Sequence, residues 1–82
     1  MNEWFLYIIK CEDGSFYTGI TTNLKRRFFE HSRKKGGKYT SSHKPLAIIH
    51  QEIYFTRSEA LKRESQIKGW SRQQKIDILN LK

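Results

Sequence analysis

Six consecutive residues near the start of the chain, Trp4-Phe5-Leu6-Tyr7-Ile8-Ile9, are all aliphatic or aromatic and mostly favour an extended backbone. A strand with one wet face would alternate polar and apolar residues, and this run does not. It therefore reads as a strand covered on both faces and central in its sheet. Glu12-Asp13-Gly14-Ser15 follows as a turn, and Ser15 to Ile20 returns as a second strand, closing a hairpin.

The register of that hairpin decides which side chains share a face. A two-residue loop at Asp13-Gly14 pairs Lys10 with Tyr17 and sends Tyr7 and Tyr17 to opposite sides of the sheet. A three-residue loop, Glu12-Asp13-Gly14, pairs Ile9 with Tyr17 and Tyr7 with Gly19. Both tyrosines then share one face, and Gly19 leaves space beside Tyr7. A type I turn with Gly14 in the left-handed position makes the longer loop, but Asp-Gly also suits the shorter one, so local sequence leaves both open.

Thr22 or Asn23 caps a helix over roughly 23–34. Leu24, Arg27, Phe28 and His31 recur at i, i+3, i+4 and i+7, one face of that helix, and half of the face is polar. A helix that only packs would more often carry Leu or Ala in place of Arg27 and His31. Residues 34–45, KKGGKYTSSHKP, form a basic, Gly-containing loop able to track a phosphate backbone, with Tyr39 available to stack on a base. Leu46 to Phe55 is a third strand. Thr56-Arg57-Ser58-Glu59 is a capping box that opens a second helix, which runs to about Lys68 with Gly69 as its stop. Ser71-Arg72-Gln73-Gln74 opens a short last helix with Ile76, Leu79 and Ile78 turned inward. The order is ββαβαα, an α+β chain read as one domain over 1–82. The second helix carries an anomaly: Glu64 lies on the same stripe as Ala60, Leu61, Ile67 and Lys68, and a carboxylate there needs an ion-pair partner, a hydrogen bond or a bound cation.

Charge narrows the partners. Sixteen Lys and Arg against eight Asp and Glu leave a net charge of +8 in 82 residues. Such an excess favours a polyanion through counterion release, nucleic acid foremost. The basic residues are not set against one amphipathic apolar face, which argues against a membrane surface. No run is long enough to span a bilayer, and residues 1–11 do not resemble a secretion signal. Cys11 is the sole cysteine, so no disulfide forms within the chain and a cytoplasmic setting is expected.

These positions together resemble the GIY-YIG nuclease superfamily, close to its small stand-alone bacterial branch. Phe5-Leu6-Tyr7 stands at the first motif and Tyr17-Thr18-Gly19 at the second. Thr21-Thr22-Asn23-Leu24-Lys25-Arg26-Arg27, followed by His31, matches the arginine motif. Ser58-Glu59-Ala60-Leu61-Lys62-Arg63-Glu64, followed by Ile67-Lys68-Gly69-Trp70, matches the glutamate motif. The first motif departs from Gly-Ile-Tyr, and Thr18 replaces Ile in the second; both tyrosines and Gly19 are kept.

The resemblance implies a three-stranded antiparallel sheet flanked by helices, and metal-dependent hydrolysis of DNA phosphodiester bonds, with structured DNA in repair or recombination as the expected setting. It implies that Glu64 binds one Mg²⁺, or Mn²⁺ in its place, at the leaving 3′-oxygen. Arg27 would grip the scissile phosphate with its planar fork. Tyr17 is favoured as the base that takes a proton from water, with Tyr7 positioning, and His31 would relay the proton or hold the water. An unperturbed tyrosine has a pKa of about 10, and a neighbouring cation favours its ionised form. Lys25, Arg26, Lys34, Lys35, Lys38 and Lys44 are expected to contact the DNA backbone. Two other readings use the same basic surface: a nucleic-acid-binding module without catalysis, and a nuclease subunit that depends on a protein partner.

Overall fold

The computed structural model describes residues 3–33 and 44–81. Within them the chain forms β1 (Trp4–Cys11), β2 (Phe16–Thr21), α1 (Leu24–Ser32), β3 (Pro45–Tyr54), α2 (Arg57–Lys68) and α3 (Arg72–Leu79). The three strands make one antiparallel sheet in the order β2-β1-β3. The uninterrupted apolar strand is thus the central one, as its composition requires.

The hairpin adopts the three-residue loop. Tyr7 pairs with Gly19 and Ile9 with Tyr17. Cys11 N–H donates to Ser15 O at 2.8 Å and Gly14 N–H to Cys11 O at 2.9 Å, with Gly14 at φ 87°. That positive φ is what glycine permits and most residues resist. Asp13 Oδ1 tightens the turn by accepting from the backbone N–H of Ser15 at 3.0 Å and its hydroxyl at 2.6 Å. Arg72 of α3 reaches back to donate to Gly14 O, and its guanidinium lies 4.3 Å from the centre of the Phe16 ring.

Alternation along β1 divides the interior in two. Tyr7, Ile9 and Cys11 face α1 and pack with Tyr17, Leu24, Phe28 and Ile48. Leu6 and Ile8 face the other way and pack with Ile67 and Leu81. Buried Cys11 acts as a small apolar side chain there, its thiol pKa pushed up by burial.

The caps account for the helix starts. Asn23, not Thr22, is the cap of α1, its side chain accepting from Arg26 N–H at 3.0 Å. The helix ends at Ser32, short of the expected 34. Both capping boxes form, at Thr56 with Glu59 and at Ser71 with Gln74. Gly69 ends α2 in right-handed geometry, φ −78°, because the chain passes straight on to the cap of α3 without reversing. Ile76 and Leu79 pack on the core, whereas Ile78 is 56 % exposed, an exception to the inward face expected for α3. Lys68 likewise leaves the inner stripe of α2 for solvent.

Candidate active site

The site begins with a missing side chain. Gly19 lies directly across from Tyr7 in the ladder, and a Cβ placed on it would stand 2.6 Å from Tyr7 Oη and 2.9 Å from Tyr7 Cζ. The phenol of Tyr7 therefore occupies the space that a side chain at position 19 would need. Tyr17, two residues before Gly19 on the same face, sets its ring centre 6.2 Å from that of Tyr7. The three-residue turn is what brings the pair together.

Helix α1 crosses this face and lowers Arg27 and His31 onto it. Tyr7 Oη and His31 Nε2 are 3.1 Å apart, and Arg27 Nε–H donates to Tyr7 Oη at 3.4 Å. With its oxygen accepting from Arg27, Tyr7 has its own proton to give to His31 Nε2 when the imidazole carries its proton on Nδ1. The Tyr17 and His31 rings meet edge to face at 4.9 Å. Arg27 Nη1 also pairs with Glu30 Oε1 at 3.2 Å, and the Arg27 side chain keeps 30 % of its surface in solvent.

Burial distinguishes the two tyrosines. Tyr7 is 1 % exposed, and burial raises its pKa to about 12, against the opposing pull of Arg27. Its hydroxyl is therefore protonated at neutral pH. Tyr17 is half-buried and opens to water. Burial, reinforced by the Arg27 charge, lowers His31 to about 4, so its imidazole is neutral. Burial also works against charge on Arg27, but hydrogen bonds to Tyr7 and Glu30 outweigh it and its pKa is raised.

One consequence concerns stability. The unfolded chain protonates His31 near pH 6.5, the folded chain only near 4. Between those values the unfolded state binds more protons, so folding weakens as pH falls through that window and gains nothing from His31 above it. The full cost at pH 4 is about 3 kcal/mol. Urea denaturation of the wild type beside His31→Asn, from pH 7 to 4, should show this part of the acid slope in the wild type alone.

Glu64 projects from α2. Its side chain is 18 % exposed, its Oε2 lies 3.2 Å from Lys68 Nζ, and its charge is felt at Tyr7, where it adds to the upward shift. Among the described residues no group of three or more His, Cys, Asp and Glu side chains is placed to hold a metal. A lone carboxylate with solvent access does not suit zinc, which takes three or four protein ligands. It does suit a hard divalent cation that keeps most of its water.

Of the other residues read from sequence as DNA contacts, Lys25 and Arg26 lie exposed on α1, and Lys44 is exposed just before β3. Lys34, Lys35, Lys38 and Tyr39 lie outside the described residues. No described helix is long and apolar enough to cross a membrane.

A second polar group escaped the sequence reading. His50, Glu52 and Tyr54 alternate along β3 and so share one face, where Arg63 of α2 meets them. Burial of Glu52 would raise its pKa, but Arg63, His50 and Tyr54 hold it down at about 2. Its one sequence signal is the placing of three polar residues at every second position of a strand otherwise rich in isoleucine.

Comparison with known proteins agrees with this architecture. A profile of the GIY-YIG catalytic domain matches residues 3–77. A UPF0213 protein of Staphylococcus epidermidis is 47 % identical over 79 residues, 96 % of either chain. The solution NMR structure of a UPF0213 protein from Bacillus halodurans superposes with a TM-score of 0.62 at 35 % identity, covering 95 % of this chain and 83 % of that one. The NMR structure of an E. faecalis protein gives 0.68 at 40 % identity, covering 98 % and 85 %.

Proposed function

Because the chain belongs to the GIY-YIG family of catalytic domains, a nuclease family, we propose that it is a metal-dependent endonuclease that hydrolyses DNA phosphodiester bonds. The observation that carries this reading is the meeting of Tyr7, Arg27 and His31 within hydrogen-bonding distance beside Tyr17, a polar cluster on a face that packing alone would fill with apolar residues. The basic balance of the chain supplies attraction for the substrate.

Each group then has a task. Arg27, already held in place by Tyr7 and Glu30, turns its fork to the scissile phosphate and offsets the charge that builds there. Tyr17, the more open tyrosine, takes the proton of the attacking water. Tyr7 keeps its own proton, donates to His31, and so fixes the imidazole as a neutral group that can hold the water or pass on its proton. Glu64 would hold Mg²⁺, or Mn²⁺ in its place. A cation held there would supply charge stabilisation for the leaving 3′-oxygen. Lys25, Arg26 and Lys44 contribute sequence-independent contacts along the backbone.

Labelled single-stranded, duplex, flapped and branched DNA, incubated with the protein in Mg²⁺, Mn²⁺ or chelator, test the reading. Cutting in either cation and none in chelator is the expected result, and the preferred substrate would show whether the enzyme acts on structures met in repair or recombination. Salt-sensitive binding of every substrate without cutting of any would overturn the reading in favour of a binding module or a partner-dependent subunit.

A further inference from the structure

The polar group on β3 is built as a clamp. Both oxygens of the Glu52 carboxylate are in use. Oε1 accepts from Tyr54 Oη at 2.6 Å and Arg63 Nε at 2.9 Å, and Oε2 from Arg63 Nη2 at 3.2 Å, with His50 Nε2 at 2.8 Å. Arg63 Nη1 donates to Gln66 Oε1 at 2.7 Å, and the guanidinium lies 5.3 Å from the centre of the Trp70 ring. The carboxylate cannot serve a ligand without giving up these donors, and the guanidinium is held on several sides. The cluster is a joint between a strand and a helix.

What it joins is specific. Glu52 pairs with Leu6 across the ladder, and Leu6 is the chain neighbour of Tyr7. Arg63 is the chain neighbour of Glu64. We propose that the Arg63–Glu52 clamp is a positioning device that sets the roll of α2 and thereby aims the Glu64 carboxylate at the site around Tyr7; this rests on the metal-dependent reading above.

The need for such a device follows from how α2 packs. Its buried residues are Ala60 and Ile67, which are i and i+7 and so lie along one line. Contacts along one line let a helix roll about it, and one of the two is only a methyl group. A carboxylate about 6 Å from the helix axis moves about 1 Å for each 10° of roll. Displacements of that size are enough to spoil a catalytic arrangement. A planar, bidentate guanidinium–carboxylate pair tolerates little rotation, and it lies one residue from the group to be aimed.

The test uses Arg63→Lys, which keeps the charge but loses the fork, and Glu52→Gln, which keeps the shape but loses the charge. Mn²⁺-induced broadening of the Glu64 amide signal in DNA-free protein reads metal binding directly, and thermal unfolding reads stability. Weakening of Mn²⁺ binding by about tenfold in the folded variants is expected, with a matching rise in the Mg²⁺ concentration for half-maximal cleavage. Replacement of exposed Lys62 by Gln should change neither. Lower melting temperatures with wild-type Mn²⁺ binding in both variants would overturn the proposal and leave the nuclease reading standing. Absence of Mn²⁺ binding by the wild type would overturn the metal reading itself, and the proposal with it.

Discussion

Arg27→Ala is expected to slow DNA cleavage by about 10²- to 10³-fold at saturating Mg²⁺, the usual cost of removing one preorganised group that meets charge in the transition state. The guanidinium is well prepared for that role. Its Nε is held by Tyr7 and its Nη1 by Glu30, and the side chain still reaches solvent. The loss should fall on kcat more than on KM, if the proposed backbone contacts of Lys25, Arg26 and Lys44 hold the substrate. Arg27→Lys should lie between, since it keeps a charge without the two-pronged geometry. A second readout separates this from general damage. The Arg27 charge helps hold the His31 pKa down, so in a folded Arg27→Ala protein the imidazole should titrate at higher pH, visible in NMR shifts of the ring. Cleavage within tenfold of wild type would rule out the phosphate-gripping role.

Gly19→Ala should be the most damaging change of a single methyl group. The added carbon would stand 2.6 Å from Tyr7 Oη, 2.9 Å from Tyr7 Cζ and 3.2 Å from Tyr17 Cε2. No normal contact is that short, so something must move. Tyr7 cannot swing aside cheaply, because it is 1 % exposed and bonded to both His31 and Arg27. Overpacking of this kind costs about 1–3 kcal/mol of stability. The site would suffer more than the fold, since the ring that must yield is the one positioning His31 and Arg27, and a displacement near 1 Å is worth about 10²-fold in rate. Urea denaturation and kcat measured together check both parts. A variant with wild-type stability and rate would show that the Tyr7 ring relaxes freely, and would remove its positioning role.

Much of this was readable from sequence because the features are local. The apolar run Trp4–Ile9 called for a central strand, two capping boxes marked the starts of α2 and α3, and the helical spacing of Arg27 and His31 put both on one face. Sequence alone leaves open what distant parts decide. Asp13-Gly14 suits two turns, and Arg72, far along the chain, holds the one observed. Local residue patterns do not tell the two tyrosines apart, and only the resemblance favours Tyr17 as the base; packing under α1 buries Tyr7 and leaves Tyr17 half-buried. Gly69 stops α2 where the sequence puts the stop, but its right-handed geometry is set by the next helix, which follows too closely for the chain to reverse. Glu52 and Arg63 are eleven residues apart on different elements, so neither declares its partner. Their meeting is a product of the fold.

The central strand has a less obvious cost. Because β1 is apolar on both sides, shifting it by one position against β2 would exchange the contents of the two cores, with Leu6 and Ile8 passing beneath α1 and Tyr7 and Ile9 beneath α2. Each core would still be apolar but for Lys10, which would take the buried place of Cys11. In a sheet with one wet face such an error is penalised at every residue, and here that penalty is largely absent. Discrimination falls instead to a few features at the margins: Gly14 in its left-handed turn, Arg72 on the Gly14 carbonyl, and the notch at Gly19 that admits one ring. Proofreading of the strand alignment is thus concentrated in a few residues. A misaligned molecule could keep its secondary structure and solubility while its tyrosines stood on opposite sides of the sheet, so circular dichroism would count it as native and only an assay of the site would tell it apart.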